Sequence, residues 1–176
     1  MKVSEFDLSV LHQLRKNVDE SVRAFANLHD SNGVMVLDIA PQDHVGAKKY
    51  FKNSTVKTLD IDPDSGADFI ADICINNSEV IKSESFDIIV CTEVLEHTLQ
   101  PFYAADELYR ILKRSGEMMV STPFDFRIHG PLPDCWRFTE HGLRALFSKF
   151  SSVNVIPFDN EDRFLMPYQY LTVLKK

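Results

Sequence analysis

The sequence predicts an α/β fold, a three-layer sandwich around a seven-stranded, mostly parallel sheet that ends in a C-terminal antiparallel hairpin. Short apolar runs of strand length alternate with helical stretches along the chain, which is the pattern of such folds. The last two runs are separated by a loop too short for a crossover helix. A chain of 176 residues with 44% hydrophobic amino acids can bury one substantial core. We therefore expect a single domain over residues 1–176, with an N-terminal helix in 1–30 and the core in 31–176.

The first half of the chain predicts one long helix followed by four strands. Ser4 can cap the helix, its apolar residues recur at helical spacing, and Asn32 with Gly33 closes it. The continuous apolar run at residues 34–39 is typical of a central parallel strand that helices cover on both faces. A short helical stretch is expected at residues 44–51. The remaining predicted strands are at residues 56–61, 68–73 and 86–92.

The second half predicts two helices and three strands. Pro101 suits the first turn of a helix, and Lys113, Arg114 and Gly116 are typical of a cationic last turn and a stop. We therefore expect this helix to continue to Arg114. The other predicted elements are a strand at 117–121, an irregular segment at 122–138, a helix at 139–147, and closing strands at 153–158 and 168–174.

Composition and charge exclude several classes of protein. A net charge of -7 argues against a nucleic-acid partner, because phosphate binding requires clustered Lys and Arg. The apolar runs are far shorter than the roughly 20 residues that span a bilayer, and residues 1–5 do not read as a signal peptide. The cysteines Cys74, Cys91 and Cys135 form no CxxC pair and are expected to be reduced thiols. We expect a cytoplasmic protein that acts on a small molecule.

Acidic residues follow the predicted strands at the edge where ligands bind in parallel sheets. Asp38 ends the first strand, and Asp60 ends the second, about twenty residues later, the offset at which an acid in such folds accepts hydrogen bonds from ribose hydroxyls. Asp72 follows the third strand. The alternative is that Asp60 and Asp62 only start a turn before Pro63, and that Asp72 does the same at its own position. The pattern predicts a nucleoside site.

The loop after the first strand contains no glycine. A dinucleotide site requires GxGxxG so that the backbone can approach the pyrophosphate, and residues 39–44 read IAPQDH. Ala40 adds a Cβ atom and Pro41 lacks an amide donor. A nucleoside cofactor without phosphates therefore fits better, and a nicotinamide-dependent oxidoreductase is the less favoured alternative.

Three further segments have the order and the spacing along the chain that are typical of a known set of consecutive motifs. Residues 36–40 read VLDIA, residues 86–97 read FDIIVCTEVLEH, and residues 111–123 read ILKRSGEMMVSTP. Together they resemble the consecutive motifs of class I S-adenosylmethionine-dependent methyltransferases of the type 11 group. The resemblance implies a Rossmann-like fold and S-adenosylmethionine as the cofactor. Residues 134–143, DCWRFTEHGL, resemble a subgroup often associated with the modification of sugars or cell-surface glycans.

The resemblance implies cofactor contacts at the ends of four strands. The first strand end holds the methionine part, the second the ribose and the adenine edge, the third the adenine, and the fourth lines the methionine side. The family usually has glycines where this chain has Ala40 and Gln42, so a catalytically silent binding protein with the same fold is an alternative. The implied cofactor-binding residues are Asp38, Ala40, Asp60, Ile61, Asp72, Ile73, Thr92 and Glu93.

Methyl transfer from a sulfonium requires alignment rather than a nucleophilic side chain. A hydroxyl acceptor benefits from a general base, for which His129 is the first candidate, followed by His97 and His141. His129 lies in the irregular segment, which could wall a pocket for a small acceptor such as a sugar or glycan precursor, or could be a structural loop. The residues of this segment predicted to bind the acceptor are Phe124, Arg127, Trp136 and Arg137.

Glu93, Glu96 and His97 lie close enough in sequence to share a divalent cation. The same string also serves as a helix start, where acids are favoured by the helix dipole. The sequence alone therefore assigns no metal.

Overall fold

A computed structural model of the chain describes residues 3–41 and 45–176, so the loop residues Gln42, Asp43 and His44 lie outside the described residues. The elements are strands and helices that alternate along the chain as the hydrophobic pattern predicts. The strands are β1 (Met35–Ile39), β2 (Thr55–Asp60), β3 (Phe69–Ile70), β4 (Phe86–Thr92), β5 (Leu112–Pro123), β6 (Ser152–Phe158) and β7 (Gln169–Lys175), and the α-helices are α1 (Glu5–His29), α2 (Pro101–Ile111) and α3 (Glu140–Leu146).

The seven strands form one sheet in the order β3-β2-β1-β4-β5-β7-β6. β1 to β5 are parallel, β7 runs antiparallel to β5, and β6 and β7 pair as an antiparallel hairpin. The predicted fold class is confirmed. The order of the strands reverses between β1 and β4, which is the point where ligands bind in open parallel sheets.

The sheet is covered on both faces. Val36 and Leu37, neighbours on β1, are both fully buried, because Val36 packs under α1 and Leu37 packs under α2 and α3. This two-sided burial explains why the central strands read as continuous apolar runs rather than as alternating ones. Three layers result, as predicted.

Local capping signals place the ends of α1. The hydroxyl of Ser4 accepts a hydrogen bond from the backbone N of Asp7 (3.0 Å), so the predicted N-cap is confirmed. The helix ends at His29, and Gly33 follows in a turn with φ +87°. Within residues 3–41 and 45–176, no helix combines the length and the apolar character needed to cross a membrane.

The prediction that the second helix continues to Arg114 is wrong. α2 ends at Ile111, and the fully buried Leu112 begins β5, where it pairs with Phe86. The pairing of β4 with β5 then shifts in register after Phe86. At this irregularity, Nζ of Lys113 lies 2.8 Å from a carboxylate oxygen of Asp87. Packing of Leu112 within the sheet outweighs the local helix-stop signal, since propensity is weaker than burial of a large apolar side chain.

The third strand is shorter than predicted, because at both of its ends side-chain carboxylates, and not backbone carbonyls of a neighbouring strand, accept the backbone hydrogen bonds. Before the strand, Asp68 accepts a hydrogen bond from the backbone N of Thr58 (2.9 Å). After it, Asp72 accepts one from the backbone N of Cys74 (2.7 Å), which turns the chain away.

Candidate functional site

A cavity of about 570 Å³ lies at the carboxyl ends of β1 and β4. One face of α1 closes it on one side, and the segment around residues 126–131 closes it on another. The volume is in the range of sites for small molecules and cofactors. The switch point of the sheet therefore carries a cavity of the expected kind.

Half of the residues predicted to bind a cofactor line this cavity. They come from the two strands at the switch point and from the residues directly after them. These four residues are Asp38, Ala40, Thr92 and Glu93.

The other four do not line this cavity. One oxygen of Asp60 accepts a hydrogen bond from the backbone N of Asp62 (2.9 Å), and Asp72 turns the chain as described above. Both acids thus begin local turns, as the alternative interpretation predicted. In the described part of the chain, no group donates to the second oxygen of Asp60. Of the two isoleucines, Ile61 is exposed and Ile73 is buried in the core.

Asp38 ties β1 to the loop that follows. Its buried carboxylate accepts a hydrogen bond from the backbone N of Ala47 (2.6 Å), and burial raises its pKa to about 6. Gly46 has φ +58°, and a Cβ atom there would lie 2.2 Å from the Asp38 carboxylate. The predicted helical stretch at 44–51 is a 3-10 helix over Gly46–Lys49, and Gly46 is a site residue that the sequence analysis missed.

Two non-glycine residues at this edge adopt left-handed backbone conformations. Ala40, after β1, has φ +49°, and Glu93, after β4, has φ +54°. A Cβ atom costs about 1 to 2 kcal/mol in this region, so such residues persist where the surroundings impose them, often at functional sites. The position of Ala40 is one that favours glycine, which gives a physical reason for the glycine that the family usually has there.

Glu93 is held at the wall by two donors. One oxygen of its carboxylate accepts hydrogen bonds from the hydroxyl of Ser121 (2.7 Å) and the amide of Gln169 (2.7 Å). Burial raises the pKa of Glu93 in spite of these bonds. The carboxylate is thus fixed in place by β5 and β7.

Two imidazoles close the far end of the cavity. The rings of His97 and His129 stand edge to face with centroids 4.9 Å apart, and Phe126 packs against His129. Behind them lies Glu96, fully buried, with one oxygen 3.7 Å from Nε2 of His97 and 3.9 Å from Nε2 of His129. Burial, and then the charge of Glu93, raise the pKa of Glu96 well above its ordinary value. The third candidate, His141, is exposed on α3.

An acid and an arginine fix His129. Asp134 accepts a hydrogen bond from the backbone N of His129 (2.9 Å) and lies 3.0 Å from its Nδ1, although not aligned for a hydrogen bond. Arg137 donates to both oxygens of Asp134 (2.5 and 2.8 Å), and this pairing holds the pKa of Asp134 well below its ordinary value. Burial lowers the pKa of His129.

None of the four side chains predicted to bind the acceptor lines this cavity. Phe124 packs on an aromatic ring, Trp136 donates its indole N–H to a backbone carbonyl, Arg137 holds Asp134, and Arg127 is exposed. The segment does form part of the cavity wall, but through residues other than these four. They are Phe126, His129, Gly130 and Pro131.

The sheet order, the cavity at the switch point and the acidic strand ends define a Rossmann-like protein with a ligand site at the carboxyl edge of its sheet. A family model described as "Methyltransferase domain" matches residues 19–120, which is more than half of the chain. The chain therefore belongs to this family, in agreement with the predicted type 11 group, and S-adenosylmethionine is its cofactor.

Solved structures share the fold at low sequence identity. A carbon methyltransferase, CurJ, is 16% identical with a TM-score of 0.68, over 92% of this chain and 55% of that one. An S-adenosylmethionine-dependent methyltransferase from Archaeoglobus fulgidus is 15% identical with a TM-score of 0.68, over 92% and 94%. One from Mesorhizobium loti is 13% identical with a TM-score of 0.67, over 89% and 96%. The chain thus spans about half of the CurJ chain and nearly all of the others. No curated protein sequence matches it significantly.

The left-handed backbone at Ala40 leads to a stability prediction. Ala40→Gly removes the Cβ atom and should raise the free energy of unfolding by up to about 1 kcal/mol, measured by urea denaturation. The control is Ala24→Gly on the exposed face of α1, which should lower it by about 1 kcal/mol because glycine weakens a helix interior. Equal losses in the two variants would contradict the assigned conformation of Ala40.

The raised pKa of Asp38 leads to a second prediction. A carboxyl group whose pKa is higher in the folded state, about 6 against 3.8, stabilises the fold at low pH and loses that contribution as the pH rises through 6. Without cofactor, the stability of the wild type relative to Asp38→Asn should fall by about 2 to 3 kcal/mol between pH 4 and pH 7. A difference that stays constant over this range would refute the burial of an ionisable Asp38.

Proposed function

We propose that this protein transfers the methyl group of S-adenosylmethionine to a hydroxyl oxygen of a small molecule, with a sugar or glycan precursor as the candidate class. One observation carries the proposal: a single cavity runs from Asp38 and Ala40, two positions that the family uses for the cofactor, to the imidazoles of His97 and His129. A donor site and a pair of groups able to act on an acceptor oxygen thus share one enclosure.

The residues present fit the cofactor. Asp38 and the backbone at Ala40 are proposed to hold the methionine part, with Thr92 and Glu93 on the same wall. A Cβ atom at Gly46 would clash with the buried Asp38 carboxylate, so the glycine allows this acid to keep its place at the cavity wall. Asp60 retains one carboxylate oxygen for the ribose hydroxyls after its turn is made. Three further contacts to the ribose and adenine are proposed at Ile61, Asp72 and Ile73.

When bound, S-adenosylmethionine supplies a methyl group on a positively charged sulfur, so that transfer breaks the S–CH₃ bond, forms an O–CH₃ bond and leaves a neutral thioether. The chain's own task is to align the acceptor oxygen and to exclude water. The apolar side chains of Leu14, Val18 and Val22 on α1 close the cavity toward solvent. His97 and His129, at the far end, act on the hydroxyl and receive its released proton.

Isothermal titration tests the cofactor class most simply. The protein should bind S-adenosylmethionine and its demethylated product, and should not bind NAD. Formation of the demethylated product in the presence of hydroxyl-bearing sugars then tests the activity. Binding without turnover over a broad panel of acceptors would favour the catalytically silent alternative, and failure to bind either sulfur compound would refute the proposal.

Asp60 offers a variant that keeps its local structure. Asp60→Asn retains an oxygen for the backbone N of Asp62 but removes the charge that ribose hydroxyls would favour, so the Kd for S-adenosylmethionine should rise about 10- to 100-fold. Asp62→Asn is the matched control, because Asp62 makes the same type of turn with Asp64 and should leave the Kd unchanged. Equal affinity of Asp60→Asn and the wild type would remove the ribose assignment.

A further inference from the structure

Glu96 has a fully buried carboxylate whose two oxygens accept no hydrogen bond from any described residue. Buried polar groups are almost always paired, and a buried charge is retained where it is compensated by a partner or a metal ion. The backbone carbonyl of Glu96, in contrast, accepts two hydrogen bonds. The carboxylate thus points to a ligand.

The Nε2 atoms of His97 and His129 both face one carboxylate oxygen of Glu96. Nδ1 of His97 lies 2.9 Å from the backbone carbonyl of Pro133, which can only accept, so Nδ1 carries the hydrogen and Nε2 of the neutral ring is free to coordinate. Nδ1 of His129 faces the carboxylate of Asp134, which favours the same tautomer. Both Nε2 atoms approach one oxygen of Glu96. Three electron-pair donors therefore converge with no donated hydrogen between them.

The distances suit one cation after a contraction. One ligand atom from each of Glu96, His97 and His129 lies within 4.8 Å of the other two. Ligand atoms about 2.0 to 2.2 Å from a shared zinc-class ion are roughly 3 to 3.5 Å apart. The distances from Glu96 to the two Nε2 atoms, 3.7 and 3.9 Å, need only a small contraction, and the widest pair would have to close by up to roughly 1.3 to 1.8 Å around the ion.

The surrounding contacts hold these ligands in place. The backbone carbonyl of Glu96 accepts hydrogen bonds from the backbone N of Cys135 (2.7 Å) and of Trp136 (3.2 Å). This fastens the segment that carries His129 against the 3-10 helix that carries Glu96 and His97. The Pro133 carbonyl at Nδ1 of His97 is the kind of outer contact that orients metal-bound histidines in proteins. The Arg-paired carboxylate of Asp134 lies 3.0 Å from Nδ1 of His129, without an aligned hydrogen bond.

We propose that Glu96, His97 and His129 bind a divalent transition-metal ion of the zinc or manganese class. Two imidazoles and one carboxylate suit these ions better than Mg²⁺ or Ca²⁺, which prefer oxygen ligands throughout. Three protein ligands leave coordination positions open, and His97 and His129 line the cavity.

In the proposed reaction, the ion would activate the hydroxyl group of the acceptor. This part of the inference rests on the proposed function. A hydroxyl oxygen bound to the ion is acidified, so its proton can leave to water while the oxygen accepts the methyl group. His97 and His129 then act as ligands, and the ion takes over their task of activating the hydroxyl. An acceptor with two neighbouring hydroxyls, as in a sugar, would fill two open positions.

Metal binding is tested without the reaction. The full chain, stripped with a chelator, is titrated with Zn²⁺ or Mn²⁺ alone, and the bound metal is counted by mass spectrometry. One ion per chain is expected, with Mg²⁺ binding at least about 100-fold more weakly. Glu96→Gln, close in shape but without charge, and His129→Asn should each weaken binding by at least about tenfold. His141→Asn on α3 is the control and should bind as the wild type does.

Two further measurements complete the test, the absorption spectrum of bound Co²⁺ and the unfolding temperature. Co²⁺ in the wild type should give visible absorption bands of a nitrogen- and oxygen-ligated site, which Glu96→Gln should lose. Without metal, Glu96→Gln should unfold at a temperature no lower than the wild type, so lost binding cannot be blamed on misfolding. Zinc should raise the unfolding temperature of the wild type and of His141→Asn, but not that of Glu96→Gln.

The failures of the two proposals are distinguishable. Stoichiometric metal binding without methyl transfer would support the ion site and count against the proposed function. The ion site would be overturned if the chelator left methyl transfer unchanged and Glu96→Gln bound the metal as well as the wild type does. The histidines would then remain as proton acceptors. A wild-type protein that binds no more ion than Glu96→Gln and His129→Asn do would overturn it equally.

Discussion

The acceptor end of the site depends on one backbone carbonyl, that of Glu96, which accepts two hydrogen bonds from the irregular segment after β5. These bonds place His129 against His97, although the two lie far apart in sequence. The side chain of the same residue is fully buried. The arrangement is therefore a property of the tertiary structure, because it depends on contacts between segments that are distant in sequence.

The donor end depends on a comparable tie between a strand end and a loop. The carboxylate of Asp38 accepts a hydrogen bond from the backbone N of Ala47. Gly46 leaves room for this carboxylate because it has no side chain. Left-handed residues follow both β1 and β4, so both strands turn sharply at the edge of the sheet where the cavity opens. The family's glycine is absent at Ala40, yet the backbone conformation that it would favour is kept.

Much of the fold could be predicted because its signals are local. Continuous apolar runs identified the central strands, and Ser4 supplied a visible helix cap. The end of α2 could not be predicted, since burial of Leu112 in the sheet overrides a local stop signal. The site divides in the same way: Asp38 and Glu93 were visible as strand ends, whereas the pairing of Glu96 with His129 requires contacts between distant segments.

The central claim is that the cofactor end and the imidazole end belong to one enclosure. A crystal structure with the demethylated cofactor bound measures this directly, because its sulfur marks the place from which a methyl group would leave. The claim predicts that the amino acid part lies along Asp38 and Ala40 and that the sulfur faces the space in front of His97 and His129. A sulfur directed away from the two imidazoles, or a cofactor bound outside this cavity, would contradict it.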